Sequence, residues 1–194
     1  MLKTAFLILI ALLLAIGGGG ASVWYALKAQ EGVGAVTVDG WTAFPDMGTP
    51  EADPYSKARV AREGSLALGR AEGLAFTAQR DSSGERLRRE CGYRIEGSMP
   101  STRFWTLHAV DEQGALIRAG FDRAPALQSL SLLRAAGGGI VIAAAAQPAP
   151  GNWLPLSGKG GMSFVLTLYD TPVAASTGLS DIRLPRIVRM ACHA

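Results

Sequence analysis

Arg103-Phe104-Trp105-Thr106-Leu107-His108-Ala109-Val110, followed by Asp111-Glu112-Gln113-Gly114 and then Ala115 to Phe121, is the stretch that decides the fold of this chain. Phe104, Thr106 and His108 alternate with Arg103, Trp105, Leu107 and Ala109, which is the two-residue period of a strand with one face buried. The tetrapeptide that follows is turn chemistry, so the two flanking runs read as a hairpin. Working outward, the same style recurs about every ten residues. Leu74–Arg80 precedes the turn Asp81-Ser82-Ser83-Gly84, and Cys91–Glu96 follows it. Leu127–Arg134 and Ile140–Ala146 flank Gly137-Gly138-Gly139, and Ser163–Tyr169 and Ile187–Cys192 complete the set. Many short strands with hairpin-length turns predict a mainly β domain, an antiparallel β-sandwich of jelly-roll-like form, rather than alternating βα units. No internal repeat is present.

Toward the N-terminus the pattern changes. Asp53 reads as a helix cap, Pro54 as the first helical residue and Gly64 as the stop of a short helix over Tyr55–Glu63. Tyr55, Ala58 and Arg62 share one face of it. Residues 66–73 are ambiguous. Residues 29–52 are rich in Gly, Pro, Asp and Thr, with one β-like run at Ala35–Val38 and two aromatics, Trp41 and Phe44, and read as a linker that becomes the edge of the domain. The organisation expected is therefore 1–28 as a membrane segment, 29–52 as linker and edge, and 53–194 as the sandwich with its one or two short helices.

The first segment sets the compartment. Residues 5–27 carry no charge, and a helix needs about 20 apolar residues to cross a hydrocarbon core. Trp24 and Tyr25 suit the headgroup layer at its far end, and Lys28 follows in water. Lys3 and the terminal amine favour a cytoplasmic start, which predicts a single-pass signal anchor in a bacterial inner membrane with the remainder periplasmic. The alternative is a cleaved signal peptide cut near Ala21, before Ser22, with secretion of the rest.

The formal net charge is +3 and the pI about 9.1, but bases and acids are interleaved, as in Glu85, Arg86, Arg88, Arg89 and Glu90. That is a solvated mixed surface and argues against nucleic acid as a partner. There are two cysteines, Cys91 and Cys192. Outside the inner membrane an even pair reads as one disulfide, the alternative being two unpaired thiols in neighbouring strands.

The residues for chemistry are few. His108 and His193 are the only histidines, there is no HExxH or CxxC, and a zinc site of conventional type is not expected. No Gly-x-Ser-x-Gly elbow accompanies the serines. Gly158-Lys159-Gly160-Gly161 lacks the spacing and the following Ser or Thr of a phosphate loop and reads as a turn. Asp81, Asp111 and Asp170 fall in turns, where Asp is expected for backbone reasons. No metal and no cofactor is implied. What stands out is aromatic: Trp105 within its strand reads as a core anchor, and Trp153 in Gly151-Asn152-Trp153-Leu154-Pro155 as a packed corner, with a pocket wall as the rival role of both.

Tyr55 with Lys57-Ala58, Phe104-Trp105-Thr106-Leu107, Asn152-Trp153-Leu154-Pro155, Leu166 to Tyr169 and Leu184-Pro185 together resemble the family catalogued as domain of unknown function 1214, over Trp41 to Cys192. The resemblance implies a β-rich, sandwich-like fold in a small bacterial protein with one N-terminal membrane segment. It implies no settled activity. Larger relatives carry a further domain, of unknown function 1254, ahead of this one. Thr167 stands where that family often has Arg, and Ser131 to Gly139 lacks its usual Asn-x-Asp-Gly turn.

Two functional expectations follow. One is a membrane-tethered periplasmic binding module of the cell envelope without catalytic activity, whose partner is a separately encoded protein resembling the domain of unknown function 1254. The other is an enzyme or small-ligand binder with a cleft near Arg103, Trp105, Asn152 and Trp153, joined by Tyr55 and Asp81, in which Arg holds an anion and the indoles wall an apolar substrate.

Overall fold

Two β-sheets share one core in the computed structural model, which describes residues 2–28, 34–64, 67–69, 71–118, 124–134, 137–172 and 182–192. The larger sheet has six strands in the order β1 (Val36–Val38), β2 (Trp41–Ala43), β3 (Gly73–Ala78), β9 (Met162–Tyr169), β5 (Phe104–Asp111) and β6 (Ala126–Gln128). The smaller has four, in the order β10 (Arg186–Cys192), β4 (Cys91–Gly97), β7 (Ile140–Ala145) and β8 (Asn152–Pro155). All described pairings are antiparallel except β7 with β8, which run parallel. The expected sandwich is the fold observed.

The alternation read in the sequence decides which side chains meet. Trp105, Leu107 and Ala109 of β5 are buried while Phe104, Thr106 and His108 are half-buried on the other face. The register sets rows across the larger sheet: Leu74, Leu168 and Trp105; Phe76, Leu166 and Leu107; Ala78, Phe164 and Ala109. Phe164 is thus flanked by two alanines, and its ring is free to reach the other sheet. There it meets Tyr93 of β4 edge to face, with centroids 5.8 Å apart. Tyr93, Ile95, Ile140, Ile142, Ala144 and Ile187 supply the facing layer. Each large side chain so enclosed contributes about 1.5–3 kcal/mol relative to exposure.

Residues 29–52, as far as they are described, supply β1 and β2 to one edge of the larger sheet. Trp41 is fully buried and its indole nitrogen donates to the Pro185 carbonyl at 2.9 Å, which ties this edge to the start of β10. α2 (Pro54–Glu63) has the expected punctuation. Asp53 accepts from the amides of Tyr55 and Ser56 at 2.8 and 3.1 Å, and Gly64 closes the helix at φ 61° in the left-handed region. The face of Tyr55, Ala58 and Arg62 points outward; Ser56 and Arg59 are the buried ones, with the Arg59 guanidinium 4.7 Å above the Phe44 ring.

Three expectations differ in detail. Leu127–Arg134 is not one strand: β6 ends at Gln128, and Ser129–Ser131 form a 3-10 turn in which the Ser129 hydroxyl accepts from the Trp105 amide at 3.3 Å. Of the expected strand Ala115–Phe121, Leu116 makes a single bridge to Val110, and Phe121 lies outside the described residues. Asn152–Pro155 is a strand rather than a corner, buried at all four positions, so it shows no alternation.

α1 (Leu2–Lys28) is exposed along its described side chains. Its segment Leu2–Tyr25 has a mean hydropathy of 2.4 and is long and apolar enough to cross a membrane, a property that signal sequences share. The cysteines form the expected disulfide, Cys91 to Cys192, joining paired positions of β4 and β10 across a separation of 101 residues.

Candidate functional site

The residues singled out in the sequence are spread over the molecule. Trp105 is 2% exposed and faces the core from the middle of the larger sheet. Arg103, at the entry to the same strand, is exposed and lies 3.5 Å from Asp170, which is also exposed, a pair that contributes little in water. Tyr55 is on the outer face of α2.

Asp81 is buried at the turn after β3 and organises it. Its Oδ1 accepts from the Ser83 amide, the Ser83 hydroxyl and the Glu85 amide at 3.0, 2.6 and 3.0 Å. Its Oδ2 is 2.9 Å from Arg189 Nε, an ion pair that is not aligned as a hydrogen bond. Burial pushes this carboxyl up, but the Ser83 hydroxyl, the two amides and Arg189 outweigh it, so the group sits below its ordinary range. The neighbouring Ser82 pairs with β10 from outside: its amide donates to the Ile187 carbonyl at 2.8 Å and its hydroxyl accepts from the Ile187 amide at 2.9 Å. Asp81 is therefore a fastener of the last strand.

Asn152 and Trp153 are held by backbone. Asn152 Oδ1 accepts from the Leu133 amide at 2.8 Å, and its Nδ2 donates to the carbonyls of Leu133 and Val141 at 2.7 and 2.9 Å. The Trp153 indole nitrogen donates to the Ala145 carbonyl at 2.9 Å, and the residue is 5% exposed. A strand that runs parallel to β7 at a sheet edge needs such side-chain ties to fix its position beside residue 133. Elsewhere, burial lowers the affinity of His108 for a proton, so its imidazole is neutral near pH 7. Among the described residues no three His, Cys, Asp or Glu side chains come together as a metal-binding group.

What the sequence did not disclose is a hollow of about 500 Å3 on the outer face of the smaller sheet. Its floor is Gly92 of β4 with Ala143 and Ala145 of β7, its sides are Val141, Met190 and Leu133, and the loop Ala149–Gly151 leads over it to Asn152. Arg94 and Arg134 line it as well. Of the six residues proposed from the sequence, Asn152 alone borders it. The signal available in the sequence was weak: an alanine run at Ala143–Ala146 and one glycine inside a strand.

An apolar helix able to span a bilayer, followed by a two-sheet β domain with an apolar hollow on its outer surface, describes a class: a β domain behind an N-terminal membrane or signal segment. Within that class the chain belongs to the family described as "Protein of unknown function (DUF1214)", whose match covers residues 72–173. The fold is similar to that of the VPA0106 protein from Vibrio parahaemolyticus, with a TM-score of 0.58 and 17% identity over 73% of this chain and 36% of that chain. This chain therefore spans about a third of the length of the Vibrio protein. An uncharacterized protein from Burkholderia cenocepacia aligns over 95% of this chain and 53% of its own at 17% identity and a TM-score of 0.43, a likeness too loose to define a shared fold. No curated protein matches the sequence.

Proposed function

We propose that this protein is a membrane-tethered, periplasmic binding module of a bacterial cell envelope, and that its partner is a separately encoded protein resembling the domain of unknown function 1254. The observation that supports a partner is the setting of the shared fold in the Vibrio protein, where it occupies 36% of the chain. In that longer protein the domain is covalently joined to much additional polypeptide. A domain that works beside another has a surface suited to that neighbour, and we take the same surface here to receive such a partner. The exposed apolar helix Leu2–Tyr25 supports the tether, and the Cys91–Cys192 disulfide supports an oxidising space. The test is co-purification of the tagged, full-length chain from its own membranes in mild detergent. Recovery of the companion is expected, and failure of the two to associate overturns the reading.

A small-ligand binder is the second reading. The hollow beside Asn152 favours it, and the site is there rather than between Trp105 and Trp153, whose indoles are enclosed on different sheets.

A further inference from the structure

The hollow over the smaller sheet has a floor of the shortest side chains, Gly92, Ala143 and Ala145. Gly92 lies within β4 and its φ is outside the left-handed region. A Cβ there would meet Met190 Cβ at 3.6 Å and Ala145 Cβ at 3.8 Å, ordinary contacts that exclude nothing. Glycine inside a strand weakens it and often marks a bulge or a close approach by a ligand or another backbone; β10 shifts register opposite Gly92, between Arg189 and Cys192, and the missing side chain also leaves the floor of the hollow open. Ala143, two places from Ala145 on the adjoining strand, extends the same bare strip.

The walls are apolar and open to solvent, with Val141 47%, Met190 52% and Leu133 69% exposed. The volume of about 500 Å3 falls within the range of small-ligand sites, roughly 300–1,000 Å3. The charge at the margin has one sign. Arg94 is neutralised by Glu96 at 2.9 Å, but among the described residues no carboxylate pairs with Arg134. A guanidinium beside an apolar trough suits a carboxylate or phosphate joined to a hydrocarbon chain. Such molecules are close by. Only residues 29–33 separate Lys28 from Gly34, and so short a stretch reaches at most ~20 Å, which keeps a tethered domain near the bilayer surface.

We propose that this hollow binds a single-chain anionic amphiphile, its tail lying over Gly92, Ala143 and Ala145 and its acidic head against Arg134. The proposal rests on the ligand-binding reading of the hollow and is independent of the companion protein. An anionic head on one hydrocarbon chain is common to free fatty acids and to membrane lysophospholipids, so two probes are needed.

The full-length chain, held in amphipol, is titrated with palmitate against a fluorescent fatty acid, and in parallel with cetyltrimethylammonium, which has the same tail and the opposite charge. The same chain in phospholipid nanodiscs is irradiated with a diazirine-labelled anionic lysophospholipid. Saturable palmitate binding identifies the free acid as a ligand, labelling at β4 or β7 identifies the bilayer lipid, and either supports the proposal. Gly92→Leu, and independently Ala143→Phe, fill the floor and are expected to weaken whichever ligand binds by about tenfold or more. Arg134→Gln is expected to remove the preference for the anionic over the cationic tail. Binding unchanged in both floor variants, with the disulfide and thermal unfolding intact, overturns the proposal, as does the absence of both palmitate binding and labelling. If instead the floor variants block only capture of the companion, the lipid proposal fails and the companion reading stands. A wild-type chain that binds the amphiphile but recovers no companion leaves the lipid proposal standing and overturns the companion reading.

Discussion

Asn152 holds the backbone of Leu133 at both of its polar groups, accepting from the amide at 2.8 Å and donating to the carbonyl at 2.7 Å, as a neighbouring strand would. A third bond, to the Val141 carbonyl, fixes the side chain to β7. Asn152→Ala leaves these groups without their partner and is expected to lower stability by about 2–3 kcal/mol. Asn152→Asp keeps the acceptor but sets a carboxylate against two carbonyls, and should be at least as damaging near pH 7. Denaturant unfolding of the three proteins under identical conditions checks the order.

Cys91 and Cys192 close a long loop. In the chain-entropy account a crosslink spanning about 100 residues adds up to ~4.7 kcal/mol, and removal of native bridges costs roughly 2–5 kcal/mol. The double variant Cys91→Ser, Cys192→Ser is expected to lose stability in that range. Unreduced, denatured protein should show no titratable thiol, and two thiols would remove the bridge.

The Asp81 carboxyl is ionised at neutral pH and held below its ordinary value of 3.8. A folded value below the unfolded one means the contribution is complete above the unfolded value and lost as pH falls through the folded one. Asp81→Asn is therefore expected to cost about 1.5–3 kcal/mol at pH 7. The difference from wild type should shrink steadily as pH falls from ~5 toward ~2. A cost that stays constant across that interval would show that the charge is not the cause.

At the start of α2, Asp53 accepts from two amides and from the Ser56 hydroxyl. Asp53→Ala removes them and should cost about 0.5–2 kcal/mol, with Asp53→Ser recovering most of it. Thermal unfolding followed by far-ultraviolet dichroism measures both.

The retained length of the chain and its orientation have a direct assay. The mature protein is expected to keep residues 1–28, so its mass should be that of the complete chain rather than of a product beginning at Ser22. Alkaline phosphatase fused after Ala194 should be active, and a fluorescent protein at that place dark. The converse pair of results would remove the periplasmic assignment.

Local chemistry made part of this legible in the sequence. Asp53, Pro54 and Gly64 each specify one backbone state, and α2 begins and ends where they stand. The strands with one buried face, such as β5, β4 and β7, carried their period in plain view. β8 did not, because a strand buried at Asn152, Trp153, Leu154 and Pro155 has no alternation to read. The break after Gln128 arises from a tertiary bond, Ser129 to the Trp105 amide, which no local propensity encodes. For the site the difficulty was of another kind. Tryptophans attract notice because they are large, whereas the hollow is defined by what Gly92, Ala143 and Ala145 lack, on strands far apart in sequence that only the fold brings side by side.

The fastening of β10 bears on how the polypeptide is made. β10, which pairs with β4, is translated long after it, so Ser82, Asp81 and Cys91 wait for Ile187, Arg189 and Cys192. Until then β4 presents a bare edge, so the nascent chain is kept from completing this sheet. A message truncated anywhere before Arg186 would yield a product with that edge permanently open, a substrate for proteases rather than a shortened but working protein.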